Sequence, residues 1–212
     1  MIMRITVLTD NINSWIMPYV NKLHNELSEH EITHIYDYKK IKIGDVMLIL
    51  SCEKILPKEY LKFHRNNIVV HPSKLPEGKG WSPLAWQILE GKNKIPISLF
   101  EAAPEVDSGN VYLLRYIELN GRELNEEIKS VQGETTISMI KEYLNNYTDM
   151  VGKAQSGKGT LYSKRSLKDS ELDINKTIKE QFNLFRVVDN ERYPAYFCIN
   201  DVKYILKIYK EE

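Results

Sequence analysis

Residues 67–83, Asn67-Ile68-Val69-Val70-His71-Pro72-Ser73-Lys74-Leu75-Pro76-Glu77-Gly78-Lys79-Gly80-Trp81-Ser82-Pro83, begin as a β-branched apolar run and end as a loop. Ile-Val-Val lacks polar alternation, the pattern of a strand buried on both faces. The prolines and glycines that follow break regular structure. An apolar strand that stops at a histidine and opens into such a loop marks the carboxyl edge of an open α/β sheet, where ligands bind.

Working outward, residues 46–50 (VMLIL) form a second fully apolar run, and residues 4–9 (RITVLT) and 32–36 read as further strands. The first run stops at Asp10-Asn11. Ser14 is then expected to cap a helix carrying Trp15, Ile16, Tyr19, Val20, Leu23 and Leu27, with Pro18 in its first turn. Strands alternating with helices predict an α/β protein with a mostly parallel, Rossmann-like sheet. The first turn reads TDNINS, not GxGxxG, so a nicotinamide cofactor is unsupported. Downstream, residues 83–90 read as a short helix and residues 95–102 and 111–119 as strands flanking a loop at 104–110. Residues 124–147 read as a long helix with Gly133 marking a break. Residues 150–158 (MVGKAQSGK) read as a linker, dividing a larger domain, 1–149, from a linker and small subdomain, 150–212. In the latter, an amphipathic helix is expected over 174–185. A hairpin is expected over 195–199 and 202–208, turning at Asn200-Asp201.

The chain has 212 residues, 29 Lys+Arg against 29 Asp+Glu and a pI near 7.0. That balance lacks the basic field of non-specific nucleic-acid binding. No apolar run is long enough for a bilayer and the opening residues lack a signal-peptide layout, so a cytoplasmic protein without membrane contact is expected. Cys52 and Cys198 show no Cys/His spacing, so neither a disulfide scaffold nor a metal site is indicated.

Of five histidines, His24, His30, His34 and His64 lie in charged or mixed surroundings and read as structural. His71 ends the apolar strand. Either it only terminates that strand with a ring nitrogen on the backbone, or it works at the sheet edge. Asp107, in EVDSG after the strand 97–102, is either a turn residue or a carboxylate delivered to the same crevice by a neighbouring strand. A carboxylate near an imidazole orients it and favours its protonated form.

The run His71-Pro72-Ser73-x-Leu75-Pro76, Lys79-Gly80-x-x-Pro83, Trp86, Gly91 and Asp107-x-Gly109 resembles the signature of the folate-dependent formyltransferases. That family includes methionyl-tRNA formyltransferase, glycinamide ribonucleotide transformylase and the nucleotide-sugar N-formyltransferases. The likeness extends more weakly over residues 1–145. It implies the formyltransferase fold, an enzyme of one-carbon transfer, N10-formyltetrahydrofolate as donor, and His71 and Asp107 as catalytic groups. One position departs. The family's Asn two residues before the histidine is Val69 here, and the nearest amides are Asn66 and Asn67. Asn67 shares a strand face with His71 but lies about 13 Å along the strand; Asn67 and Ser73 are candidate catalytic support.

The implied chemistry needs a nucleophilic amine, a nearby formyl carbon, oxyanion stabilisation and a proton path. The pterin is expected between residues 51–57 (SCEKILP) and 102–107, with Cys52, Ile55, Leu56, Ala102, Ala103, Glu105, Val106 and Asp107 around it. His71 would stabilise the oxyanion and Asp107 would orient it. For the acceptor, a transfer RNA is disfavoured by the zero net charge and the short tail. The purine ribonucleotide, the alternative kept, lacks its Gly/Ser-rich first loop. A nucleotide-linked amino-dideoxy sugar, UDP- or dTDP-linked, of O-antigen or pseudaminic-type pathways is favoured, with Asp10, Asn11, Ser14, Lys79, Trp81 and Ser82 as its contacts. A binding module that has lost catalysis through Val69 is the non-enzymatic alternative. The tail hairpin, bearing Tyr196, Phe197, Tyr204 and Tyr209, either completes a homodimer contact or packs on its own helix.

Overall fold

The run VMLIL becomes the centre of the sheet because every one of its side chains is apolar. Val46 and Leu48 enter the larger core on one face, while Met47 and Ile49 enter a smaller core on the other. Burying each such side chain contributes about 1.5–3 kcal/mol, enough to fix the strand's register. The computed structural model describes residues 2–211. Its elements run β1 (Arg4–Leu8), α1 (Met17–Glu26), β2 (Glu31–Ile35), β3 (Gly44–Ile49), β4 (His64–His71), β5 (Lys79–Gly80), α2 (Pro83–Leu89), β6 (Lys94–Glu101), β7 (Val111–Glu118), α3 (Asn125–Asn145), β8 (Leu161–Tyr162), α4 (Phe182–Val187), β9 (Ala195–Ile199) and β10 (Val202–Leu206).

The main sheet has the order β2-β1-β3-β4-β6-β7. The first four strands are parallel and the last two antiparallel to their neighbours, so the fold is the expected α/β type with a mixed, mostly parallel sheet. No helix among the described residues is long and apolar enough to cross a membrane.

Four local expectations need correction. Ser14 does not cap α1: the cap residue is Ile16, with no side-chain hydrogen bond, and the Ser14 hydroxyl instead donates to Ser51 Oγ at 3.1 Å. Gly133 does not break α3, which runs through it. It is a glycine because the Tyr19 ring of α1 lies against it, and a Cβ there would sit 2.5 Å from ring carbons. The helix expected over 174–185 shrinks to α4. Asp173 accepts from the Asn175 N–H and Glu180 from the Thr177 N–H, local bonds that compete with helix formation. Ile174 and Ile178 stay exposed. β10 ends at Leu206, and Ile208 leaves the hairpin to bond the Asn190 side chain through both its N–H and its C=O.

The hairpin turn is as read: Asn200 and Asp201 have φ of 48° and 62°, the left-handed pair a two-residue turn requires. One face of the hairpin packs with Leu172, Phe185 and Val188 on α4 and its approach. Arg186 locks α4 to the main body, with Nη1 on Asn93 Oδ1 at 2.9 Å and Nη2 3.4 Å from the Glu123 carboxylate.

Candidate active site

His71 ends β4 and stands opposite Ser98 of β6, whereas Glu101, the last residue of β6, stands opposite Ile68. Because β6 is antiparallel to β4, the loop leaving it starts opposite Ile68 and not at the edge where His71 lies. The loop folds back and brings Asp107 to the imidazole. His71 Nε2 lies 3.7 Å from Asp107 Oδ2, ion-pair range but longer than a hydrogen bond. The same nitrogen lies 2.9 Å from the Gly78 carbonyl. A carbonyl only accepts, so Nε2 carries the hydrogen. Both side chains are largely buried, at 10% and 15% exposure, and the Phe100 ring meets the imidazole edge-on at 6.5 Å.

Asp107 is held by more than the histidine. Its Oδ2 accepts the Gly80 N–H at 2.8 Å. Its backbone is left-handed, with φ of 49°, a conformation unusual for a residue with a side chain. Gln155 holds that turn, its Nε2 donating to the carbonyls of Asp107 and Gly109 at 2.8 Å each. Gly109 is required as glycine: a Cβ there would lie 1.8 Å from the Glu101 carbonyl oxygen.

His71 and Asp107 share a cavity of about 500 Å³, within the range of sites that take cofactor-sized ligands. Ile55, Leu56, Ala102 and Val106 give it an apolar wall, and Cys52, Ala103 and Glu105 line it as well. All eight residues expected to surround the pterin therefore converge on one space. Cys52 contributes contact, not nucleophilicity. Burial, reinforced by the Asp10 charge, pushes its thiol up to about 12, so it stays protonated near neutral pH. Trp81 and Ser82 reach the same cavity, as does Trp15. Among the described residues, no three His, Cys, Asp or Glu side chains gather as a metal site.

Six other candidates lie outside the lining. Asn67 is committed elsewhere: its amide donates to Leu61 O at 2.9 Å and its N–H to the Glu101 carboxylate. Ser73 is buried at 1% with its hydroxyl unpartnered, behind the sheet edge. Asp10 and Ser14 shape the 51–57 loop from below, Asp10 Oδ2 accepting the N–H groups of Glu53 and Lys54 at 2.7 and 2.8 Å. The Asn11 carboxamide accepts the Asn13 N–H, an ordinary turn. Lys79 is a β5 residue paired with Leu161. Val69 lines the cavity as an apolar wall with nothing to donate.

Sequence reasoning missed the contribution of the tail. Lys164, Arg165, Arg192 and Tyr193 line the cavity, together with Lys129 and Gln132 of α3. Lys164 pairs with Glu53 at 2.9 Å and Lys129 with Asp189 at 3.2 Å. Arg165 instead donates to two carbonyls, Val187 O at 3.0 Å and Asp169 O at 3.1 Å. Among the described residues its side chain pairs with no carboxylate at salt-bridge distance, and burial holds its acidity above the usual guanidinium level. No spacing in the sequence announces Lys164, Arg165, Arg192 and Tyr193, because each arrives by the path of the chain after residue 150.

A family model described as formyl transferase matches residues 9–140. Among curated proteins, the chain is 26% identical over 154 residues to a methionyl-tRNA formyltransferase of Ehrlichia ruminantium, covering 72% of this chain and 49% of that protein. The chain thus spans about half the length of the curated relatives it matches. Among solved structures, a methionyl-tRNA formyltransferase from Clostridium thermocellum superposes with a TM-score of 0.85 at 23% identity, covering 100% of this chain and 94% of that one. A 4-N formyltransferase from Francisella tularensis gives 0.73 at 18%, covering 99% and 98%. HypX from Aquifex aeolicus, solved with tetrahydrofolic acid, gives 0.79 at 20%, covering 97% and 37%. At these identities the superpositions speak for the fold.

Proposed function

We propose, from the premise that this chain belongs to the formyl transferase family, that it transfers the formyl group of N10-formyltetrahydrofolate to the amine of a nucleotide-linked amino sugar. The observation that carries the transfer is the meeting of His71 Nε2 and Asp107 Oδ2 at 3.7 Å inside a cavity large enough for a pterin. The folate fits the residues present: a flat heterocycle suits the wall of Ile55, Leu56, Ala102 and Val106, with backbone groups of the 51–57 and 102–107 loops to read its edges. When bound, it supplies the one-carbon unit.

The chain's own residues do the rest. With its Nε2–H held by the Gly78 carbonyl, the protonated His71 ring presents its other N–H to the oxygen that gains charge as the amine attacks. Asp107 orients the imidazole and balances its positive charge while the amine's proton passes to the donor nitrogen, which leaves as its bond to the formyl carbon breaks.

A sugar diphosphate as acceptor is supported by the wall built from the tail. Arg165 and Arg192 bring positive charge to the cavity without a carboxylate at salt-bridge distance among the described residues, and Trp15 and Trp81 offer flat faces for a base or sugar. The second reading, an aminoacyl-tRNA amine, is favoured by the names of the curated relatives.

Incubation of the chain with the formyl donor and a panel of UDP- and dTDP-linked amino sugars, glycinamide ribonucleotide and methionyl-tRNA, read by mass spectrometry, separates the acceptors. A formylated nucleotide sugar is expected. Formylation of methionyl-tRNA alone selects the second reading, and no product from any member of the panel overturns the transfer itself.

A further inference from the structure

We propose that residues 153–163 form a positioning strap, in which Gln155 holds Asp107 and Thr160 holds the Gly78 carbonyl that anchors His71. The assignment rests on the formyl-transfer reading of those two groups.

The strap touches both halves of the pair. Gln155 donates from one nitrogen to the carbonyls of Asp107 and Gly109, while its Oε1 is buried without a partner. Two acceptors facing the amide fix its orientation, since the oxygen cannot take the place of the nitrogen. The left-handed Asp107 is thereby pinned from behind. Further along, Thr160 Oγ1 accepts the Gly78 N–H at 2.7 Å and Thr160 O accepts the Lys79 N–H at 3.0 Å. These bonds fix the peptide whose carbonyl accepts the His71 Nε2–H. Gly80, the N–H donor to Asp107 Oδ2, pairs with Tyr162, and a Cβ there would lie 2.4 Å from the Tyr162 carbonyl oxygen.

The strap is itself tied to α2. Trp86 Nε1 donates to Ser163 O at 2.9 Å, the Trp86 and Tyr162 rings stack at 6.3 Å, and the Tyr162 hydroxyl donates to Glu90 at 2.7 Å. Lys153 bridges to Val111 at the other end. Neither Gln155 nor Thr160 lines the cavity. They act through His71 and Asp107, and both lie beyond the residues matched by the family model.

The test uses the full chain with Gln155→Ala, Thr160→Val and Thr160→Ser. It reads kcat, KM for the formyl donor, thermal melting, and the His71 ring 15N chemical shifts by NMR. In folded Gln155→Ala and Thr160→Val, kcat is expected to fall on the order of 10- to 100-fold with KM within about twofold, the cost of a misplaced reacting geometry. Their His71 ring shifts are expected to depart from those of wild type. Thr160→Ser, which keeps the hydroxyl, is expected to behave as wild type. Wild-type His71 ring shifts and kcat in folded Gln155→Ala and Thr160→Val overturn the strap, as does Thr160→Ser behaving like Thr160→Val. Should wild type formylate nothing, the transfer reading fails by itself, and the NMR shifts still decide whether the strap positions the pair.

Discussion

At the scale of single residues, the site depends on side chains whose neighbours decide their chemistry. Cys52 and Cys198 show how much the surroundings matter: one lines the cavity half-buried and the other is exposed on β9. With the Cys52 thiol pushed up to about 12 by burial and the Asp10 charge, almost none of it is thiolate at pH 8, and the thiolate is the reactive form. Iodoacetamide at pH 8 is therefore expected to label Cys198 and leave Cys52 unmodified, as read by peptide mass mapping. Rapid labelling of Cys52 in the folded chain would show that its environment is not the one described. The loop after His71 was legible in sequence because its segment is dense in Pro and Gly, whereas Asp107 stood apart from an ordinary turn residue only through the resemblance to the formyltransferases. The failure of Asn67 and Lys79 to reach the cavity was not legible. Each is claimed by a partner distant in sequence, Glu101 in one case and Leu161 in the other.

At the scale of elements, the apolar runs were easy to read and the tail was not. VMLIL and IVV specify strands through their own composition, although Val69 and Val70 are half-buried and line the cavity. The stretch 174–185 has helical periodicity, yet Asp173 and Glu180 capture nearby N–H groups before a helix can start. The loop that carries Asp107 depends on one glycine. Gly109→Ala would force a methyl group into the Glu101 carbonyl, 1.8 Å away, and the strain is expected to cost about 1–3 kcal/mol. Urea denaturation should show the loss, and formyl transfer should fall with it because Asp107 moves. A Gly109→Ala protein of wild-type stability and rate would mean the loop is freer than its contacts imply.

β4 adds a pH-dependent element at its other end. His64 is buried there, its Nε2 2.9 Å from Thr6 Oγ1 and closely packed against Gly44. Burial lowers its folded value to about 4 from an ordinary 6.5. The unfolded chain takes up this proton near 6.5 and the folded one resists until about 4. The contribution is therefore complete above the unfolded value and is lost as pH falls between the two. The urea midpoint of wild type is expected to drop between pH 7 and 5, and His64→Gln should drop less steeply over the same interval. Equal slopes would remove His64 from that account.

At the scale of the whole molecule, the parallel half of the sheet followed from alternating strands and helices, whereas the antiparallel turn at β6 did not. Both kinds of strand look alike as short apolar runs, so direction is decided by how the chain crosses over, which periodicity does not encode. That reversal has a functional consequence: the Asp107 loop starts away from His71 and must be folded back and held. Residues 150–158, read as a linker from their Gly, Lys and Ser content, run into the strap 153–163 proposed to do the holding. The tail beyond it closes the cavity with Lys164, Arg165 and Arg192. A flexible composition thus became ordered structure through contacts with residues far away in sequence, among them Trp86 and Glu90.

The most direct measurement is the rate of formyl transfer to the acceptor found for wild type, compared with His71→Ala and Asp107→Asn variants shown by circular dichroism to be folded. Loss of an oxyanion donor typically lowers turnover on the order of 100-fold or more, and a drop of that size is predicted for His71→Ala, with a comparable one for Asp107→Asn. Rates within a few-fold of wild type in either folded variant would contradict the claim that this imidazole and this carboxylate carry the reaction.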